Sequence, residues 1–239
     1  MDRDIGSLSR EEAESVIDWW LTAGVDCLVE EQPRDWLAPP RKAFVAPPAA
    51  NAEQILPEDL PALRHAYAWQ PDLPFAGSGA TRILPSGDPA SGLMMLADMP
   101  TSDDAAAGLI FSGECGLLFD RMLSAIGRDR GSIYLATLSC LAAPGGRLDE
   151  DSAGKCGALA RHHVKLAAPA RLLLLGEAAT KVLTGLSLPA ARGRVHGLDI
   201  EGTRVNAVAT YHPRYLLQRP SAKAGAWADL QLLAEGLER

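Results

Sequence analysis

The sequence predicts an α/β fold: a three-layer α/β/α arrangement with a mainly parallel central sheet, preceded by an N-terminal helix and a Pro-rich linker. Three observations lead there. Apolar segments of strand length alternate with segments of helical periodicity from residue 92 onward. The strand segments, such as Arg171-Leu172-Leu173-Leu174-Leu175, are continuous apolar runs, as strands covered on both faces require. With 47% hydrophobic residues over 239 positions, the chain can bury a sizeable core.

The elements follow in order. Ser9-Arg10-Glu11-Glu12 has the form of a capping box, and Val16, Ile17, Trp20 and Leu21 follow at helical spacing until Gly24. Residues 32–60 are rich in proline and alanine and read as an extended connector, although a helix is expected from about 58 to 69. The expected domain boundaries are 1–31 for the helical extension, 32–60 for the linker and 61–239 for the α/β domain. Within that domain, strands are predicted at 92–97, 133–138, 171–175 and 204–210. Helices are predicted at 116–126, 153–166, 177–183 and 224–237, and Arg194-Val195-His196 reads as part of a further strand. In such a sheet ligands collect beyond the carboxyl ends of the strands, so the loops after Ala97, Leu138 and Thr210 matter most.

Composition excludes several classes. The longest apolar run is too short to span a bilayer, and the acidic start lacks the features of a signal peptide, so an unexported, cytoplasmic protein without membrane association is expected. The four cysteines form no CxxC pair, which indicates neither a disulfide scaffold nor a zinc ribbon. A net charge of −7 argues against indiscriminate coating of nucleic acid. The charge is uneven, however: residues 1–70 carry 6 basic and 13 acidic side chains, 71–156 carry 6 and 11, and 157–239 carry 11 and 6. Phosphate contacts, if made, belong to the C-terminal third.

The loop after the first strand contains Asp98, Asp103 and Asp104, then Phe111 between Gly108 and Gly113. Solvated surface carboxylates and a core phenylalanine explain these residues about as well as a site does. His212, in Thr210-Tyr211-His212-Pro213-Arg214, ends another strand and would point into the same crevice. A lone histidine more often makes a structural hydrogen bond, and co-location with the Asp-rich loop is what favours a site.

These segments resemble the iron–sulfur branch of the uracil-DNA glycosylase superfamily. Ala97-Asp98-Met99-Pro100-Thr101 is similar to that branch's Gly-Glu-Ala-Pro-Gly turn, and Gly108-Leu109-Ile110-Phe111-Ser112-Gly113 to its Gly-Arg-Pro-Phe-Val-Gly segment. Tyr211-His212-Pro213-Arg214-Tyr215-Leu216-Leu217 and Ala226-Trp227-Ala228-Asp229-Leu230 resemble its His-Pro motif and final helix. The resemblance covers roughly residues 73–239. It implies excision of uracil or another deaminated base from DNA by hydrolysis of the N-glycosidic bond. In that chemistry a flipped base stacks on an aromatic face while carboxylates and an imidazole meet the developing charges. By resemblance, Asp98, Asp104 and His212 are catalytic, and Pro100, Thr101, Gly108, Phe111 and Ala136 bind substrate. Arg214 and Leu216 would form a wedge into the duplex, and Arg219 and Lys223 would contact phosphates, with plain surface placement as the alternative for these four.

Two departures shape the expectations. Ala136 stands where the family reads the base edge with Asn, and alanine offers no amide. Only Cys140 and Cys156 match the family's four cluster ligands, so no iron–sulfur cluster and no other metal is expected; apolar Leu73 and Phe75 lie near the vacated positions. The alternative function is an inactive glycosylase-like scaffold that binds nucleic acid or protein; the N-terminal helix with Trp19 and Trp20 could serve a partner, although Trp20 docking on the domain's own core is the favoured reading. DNA is the expected partner, and the chain is expected to be a monomer.

Overall fold

In the computed structural model the described residues are 56–70, 73–75, 81–142 and 150–236, together with Glu14, Ser15, Trp19 and Thr22. The chain divides into two units, Met1–Gln54 and Ile55–Arg239. In the first, Glu14, Ser15, Trp19 and Thr22 are helical. The rest of the expected N-terminal helix, including Trp20, and most of the Pro-rich linker lie outside the described residues.

The second unit begins with α1 (Leu60–Trp69), whose Asp59 cap accepts the Ala62 N–H at 2.7 Å, with Pro61 in the first turn. Six strands follow: β1 (Ser86–Gly87), β2 (Leu93–Ala97), β3 (Tyr134–Thr137), β4 (Arg171–Leu175), β5 (Val195–Ile200) and β6 (Thr203–Thr210). They form one sheet in the order β1-β3-β2-β4-β6-β5, parallel through β3, β2, β4 and β6 and antiparallel at both edges. The remaining helices are α2 (Ser102–Ala107), α3 (Gly113–Ala125), α4 (Glu150–Ala167), α5 (Glu177–Thr184), α6 (Leu188–Ala191), α7 (Pro213–Gln218) and α8 (Lys223–Glu235). The predicted strands and long helices are present with ends shifted by a few residues. Val195 and His196 do lie in a strand. Three helices were not anticipated: α2 occupies part of the Asp-rich loop, the short α6 follows α5, and α7 follows His212.

Strand alternation divides the core into two layers. Met95, Ala97, Leu135, Leu173, Leu175 and Val208 pack against Phe119 and Leu123 of α3, Leu216 of α7 and Leu230 and Leu233 of α8. Met94, Leu96, Ala136, Leu172, Leu174 and Ala207 pack against Cys156, Ala160 and Val164 of α4 and Ala179 and Leu183 of α5. Each fully buried leucine or methionine here contributes about 1.5–3 kcal/mol by leaving water. A third cluster joins Leu63 and Tyr67 of α1 to Leu73, Cys140, Leu141 and Leu159, with Leu56, Phe75 and Leu84 at its edge. Arg82 fastens the end of α1 by donating to the Tyr67 and Gln70 carbonyls at 2.9 and 2.8 Å, a cation placed where helix carbonyls are unpaired.

The topology positions the site. From β2 the chain moves outward to β3, whereas from β4 it moves the other way, to β5 at the far edge and back to β6. β2 and β4 are neighbours, so the connections leaving their carboxyl ends diverge and open a crevice between them.

Candidate active site

Asp98 immediately follows β2 and lies in that crevice. Its carboxylate faces the start of α5, the helix that follows β4: the Ala179 N–H donates to Oδ1 at 2.7 Å, and the Glu177 and Ala178 amides also face it. Gly176 allows the approach, since a Cβ there, at φ 113°, would lie 2.2 Å from Asp98 Oδ2. Burial pushes the carboxyl up to about 6, against the opposing pull of these amides. Asp98 is therefore a carboxylate near neutrality that takes up a proton in mild acid.

Asp104 is held differently. Thr101 and Asp104 form a capping box at the start of α2, with Thr101 N–H donating to Asp104 Oδ2 at 3.0 Å and Asp104 N–H donating to Thr101 Oγ1 at 3.1 Å. Ser112 closes the loop by donating its N–H and hydroxyl to Asp104 Oδ1 at 2.7 and 2.9 Å. Burial pushes this carboxyl up, but the hydrogen bonds from Ser112 and Thr101 outweigh it and hold the pKa below the ordinary carboxylate value. Only 4% exposed, Asp104 is an ionised anchor that ties the start of α2 to the residue before α3.

Between these anchors Phe111 adopts φ 58°, a left-handed conformation that costs a non-glycine residue about 1–3 kcal/mol unless its surroundings impose it. Arg130 imposes it. Its two terminal nitrogens donate to the Ile110 and Phe111 carbonyls at 2.7 and 2.8 Å, while Nε donates to Asp120 at 2.6 Å. Gly116 leaves room for the turned carbonyl, since a Cβ there would lie 2.3 Å from Phe111 O. The Phe111 ring packs on Phe119 at 4.5 Å and is met edge-on by His212 at 5.1 Å.

His212 caps α7, its Nδ1 accepting the Arg214 N–H at 3.2 Å. That bond assigns the ring proton to Nε2. Burial, helped by the Arg214 charge and opposed by Asp104, pushes the pKa down to about 4, so at neutral pH the ring is an uncharged hydrogen-bond donor. Arg214 reaches back toward Asp104, Nη2 to Oδ2 at 4.0 Å, with a side chain that remains 46% exposed. Cys115, in the first turn of α3, lies beside Arg214 and Asp104, and burial pushes its thiol up to about 11, so it is not a thiolate nucleophile.

The structure thus gathers Thr101, Asp104, Phe111, His212 and Arg214 into one constellation, with Asp98 in the switch-point crevice. Pro100 is buried between Asp98 and α2, and Gly108 ends α2 in the left-handed conformation. Arg214, Arg219 and Lys223 are exposed. Two positions differ from expectation. Ala136 packs in the layer of α4 and α5, opposite to the layer that holds Phe111, because it alternates with Leu135 along β3. The neighbour on the Phe111 side is Thr137, whose hydroxyl donates to the Ser139 carbonyl at 2.8 Å. Leu216 is 1% exposed, facing inward one turn after Pro213, so its side chain is core and not a wedge; Tyr215 and Leu217 are the exposed side chains beside it. Arg130 and Ser112 were missed, since neither the arginine, which bonds carbonyls about twenty residues away, nor the serine, which bonds back within its loop, carries a sequence signal for those contacts.

The residues near Cys140 and Cys156 do not fit a four-cysteine cluster. Both thiols are buried, and Tyr67 lies beside both. The Cys140 thiol, pushed up to about 11 by burial, donates to the Tyr67 carbonyl at 3.6 Å. Side chains of the third core cluster pack around it, and among the described residues no three His, Cys, Asp or Glu converge as metal ligands.

The fold is that of a three-layer α/β protein with a topological switch point, where a carboxylate lies in the crevice and a buried aromatic ring packs against a neutral imidazole nearby. Residues 84–231 match the family described as the uracil DNA glycosylase superfamily, and the chain belongs to that superfamily. It is 26% identical over 161 residues to a Type-4 uracil-DNA glycosylase of Pyrobaculum aerophilum, covering 64% of this chain and 82% of that protein. It is 24% identical over 163 residues to a Type-4 uracil-DNA glycosylase of Archaeoglobus fulgidus, covering 65% and 82%. Among the described residues no helix is long and apolar enough to cross a membrane.

Proposed function

We propose that this chain is a DNA glycosylase that excises uracil or another deaminated base by hydrolysis of the N-glycosidic bond, without an iron–sulfur cluster. The observation that carries the reading is the His212–Phe111 pair: a neutral imidazole fixed as an Nε2–H donor, in edge contact with an aromatic ring. As the C1′–N bond breaks, its electron pair goes to the base and the sugar becomes cationic. A neutral donor at a base carbonyl oxygen stabilises that anion as it forms. The Asp98 carboxylate, ionised above about pH 6, supplies negative charge for the sugar and an acceptor for the attacking water, whose oxygen bonds to C1′. Asp104, its oxygens engaged by Thr101 and Ser112, acts as a positioning residue. Arg214, Arg219 and Lys223 meet phosphates. Thr137 replaces Ala136 as the candidate reader of the base edge, and a hydroxyl that both donates and accepts suits a relaxed base preference.

The test is single-turnover base release from single- and double-stranded oligonucleotides carrying uracil, hypoxanthine or xanthine. Wild type is compared with Asp98→Asn and His212→Ala. Release abolished by both substitutions is the expected result. A binding scaffold without activity is the second reading, favoured by Phe111 being only 2% exposed and by the Thr137 hydroxyl already bonded within the chain. No release from any substrate by a folded, DNA-binding protein would establish that scaffold instead.

A further inference from the structure

Beside His212 the chain builds a stack of three planar groups. The Arg192 guanidinium lies 3.8 Å from the centre of the Tyr211 ring, and Tyr215 stacks on Tyr211 at 4.9 Å with 22° between the planes. Two planar groups cannot share one ring face at these separations, so Arg192 and Tyr215 occupy opposite faces of Tyr211. The inner end of the stack is locked. Arg192 Nε donates at 2.7 Å to Asp229, a carboxylate only 1% exposed that also accepts the Thr210 hydroxyl at 2.8 Å and the Gly193 N–H at 3.1 Å. Gly225 makes the space, since a Cβ there would lie 2.6 Å from the guanidinium.

The outer end is open. Tyr215 has one face on Tyr211 yet is 42% exposed. Between Tyr211 and Lys223 the chain carries Arg214, Arg219 and Lys223, all exposed, and no carboxylate. Arg214 lies 4.0 Å from Asp104 yet keeps an exposed side chain, and a rigid, exposed aromatic face on a segment with three exposed cations and no carboxylate of its own suits a planar group on a polyanion; a nucleobase in DNA is that group.

We propose that Tyr215 is a stacking platform for the base that flanks the extruded nucleotide. That base loses a neighbour when the target leaves the helix, and the Tyr215 face replaces it, backed by Tyr211 and Arg192. The proposal rests on the glycosylase reading and adds a contact to it. It also explains how α7 engages DNA although Leu216 is buried: the aromatic one position earlier makes the contact.

The experiment measures binding, by fluorescence anisotropy over a range of salt, to an oligonucleotide with a stable abasic analogue at the target position. Tyr215→Ala should weaken binding about tenfold, with the slope of log Kd against log salt unchanged, while Tyr215→Phe keeps wild-type affinity. Arg214→Ala, by contrast, should reduce that slope. On the wild-type protein, 2-aminopurine next to the abasic position should be quenched on binding, and the same probe six nucleotides away should not. Wild-type affinity in Tyr215→Ala, or equal fluorescence of the two probes in the bound complex, overturns the platform and leaves the glycosylase reading standing. A wild-type protein that does not bind the oligonucleotide overturns both.

Discussion

Asp98 is held by amides at the start of α5 while burial opposes its charge, and the balance decides when it can act. A proton taken up at about pH 6 removes the charge that the proposed chemistry uses. Base release should therefore rise with pH through about 6 and level off, His212 staying neutral until about 4. Stopped single-turnover assays from pH 5 to 8 would show this limb, and a flat, low profile is expected for Asp98→Asn. Arg130 acts one step further from the substrate. Arg130→Ala removes two bonds that hold Phe111 at positive φ, and a misplaced stacking ring should slow base release by roughly ten- to a hundredfold. Arg130→Lys should not restore it, because an ammonium cannot reach two adjacent carbonyls as a planar fork does. An unchanged rate in Arg130→Ala, with melting near wild type, would contradict this role.

At the scale of single elements, the sequence was legible where periodicity and caps agree and misleading where register decides. Thr101-Ser102-Asp103-Asp104 carries a capping signature that the structure uses for α2, yet the same carboxylates read equally well as solvated loop residues. Pro213 at the first turn of α7 is a helix-start signal, and that helix turns Leu216 inward and Tyr215 outward. The family resemblance points to Ala136, but side chains alternate along a strand and a shift of one residue changes the face, which is how Thr137 comes to lie on the Phe111 side. Asp98 and His212 were readable because they end apolar strands. Arg130 and Arg192 were not, because their contacts join segments about twenty residues apart, and Ser112 was not, because its bond to Asp104 depends on how the loop between them folds back. Thr101→Ala should cost about 0.5–2 kcal/mol in urea unfolding, the usual loss for a helix cap, and loosen the Asp104 anchor.

Over the whole molecule, alternating strands and helices were enough to specify a doubly wound sheet, and the third core cluster shows how α1 is secured to it. His163 is fully buried there, bonded through Nε2 to the Tyr134 hydroxyl at 2.8 Å and pushed down to about 3 by burial. Because its folded pKa lies below the unfolded value of 6.5, its contribution to stability is complete above about pH 6.5 and is lost as pH falls toward 3. Asp98 works in the opposite direction, its raised pKa giving a contribution that is lost as pH rises through about 6. Urea unfolding should thus show a net loss of stability from pH 7 to 5, with His163 alone supplying on the order of 1–2 kcal/mol. A His163→Phe variant should show a shallower dependence.

The bond between Ala179 and Asp98 joins residues 81 positions apart, across α2, α3, β3, α4 and β4. No local segment can form it, and it closes only after two parallel crossovers have docked. During refolding from denaturant, helical circular dichroism should recover first and base release should lag behind it. A half-folded chain on the path would lack a placed carboxylate, so the proposed base excision would arrive only after that contact has closed.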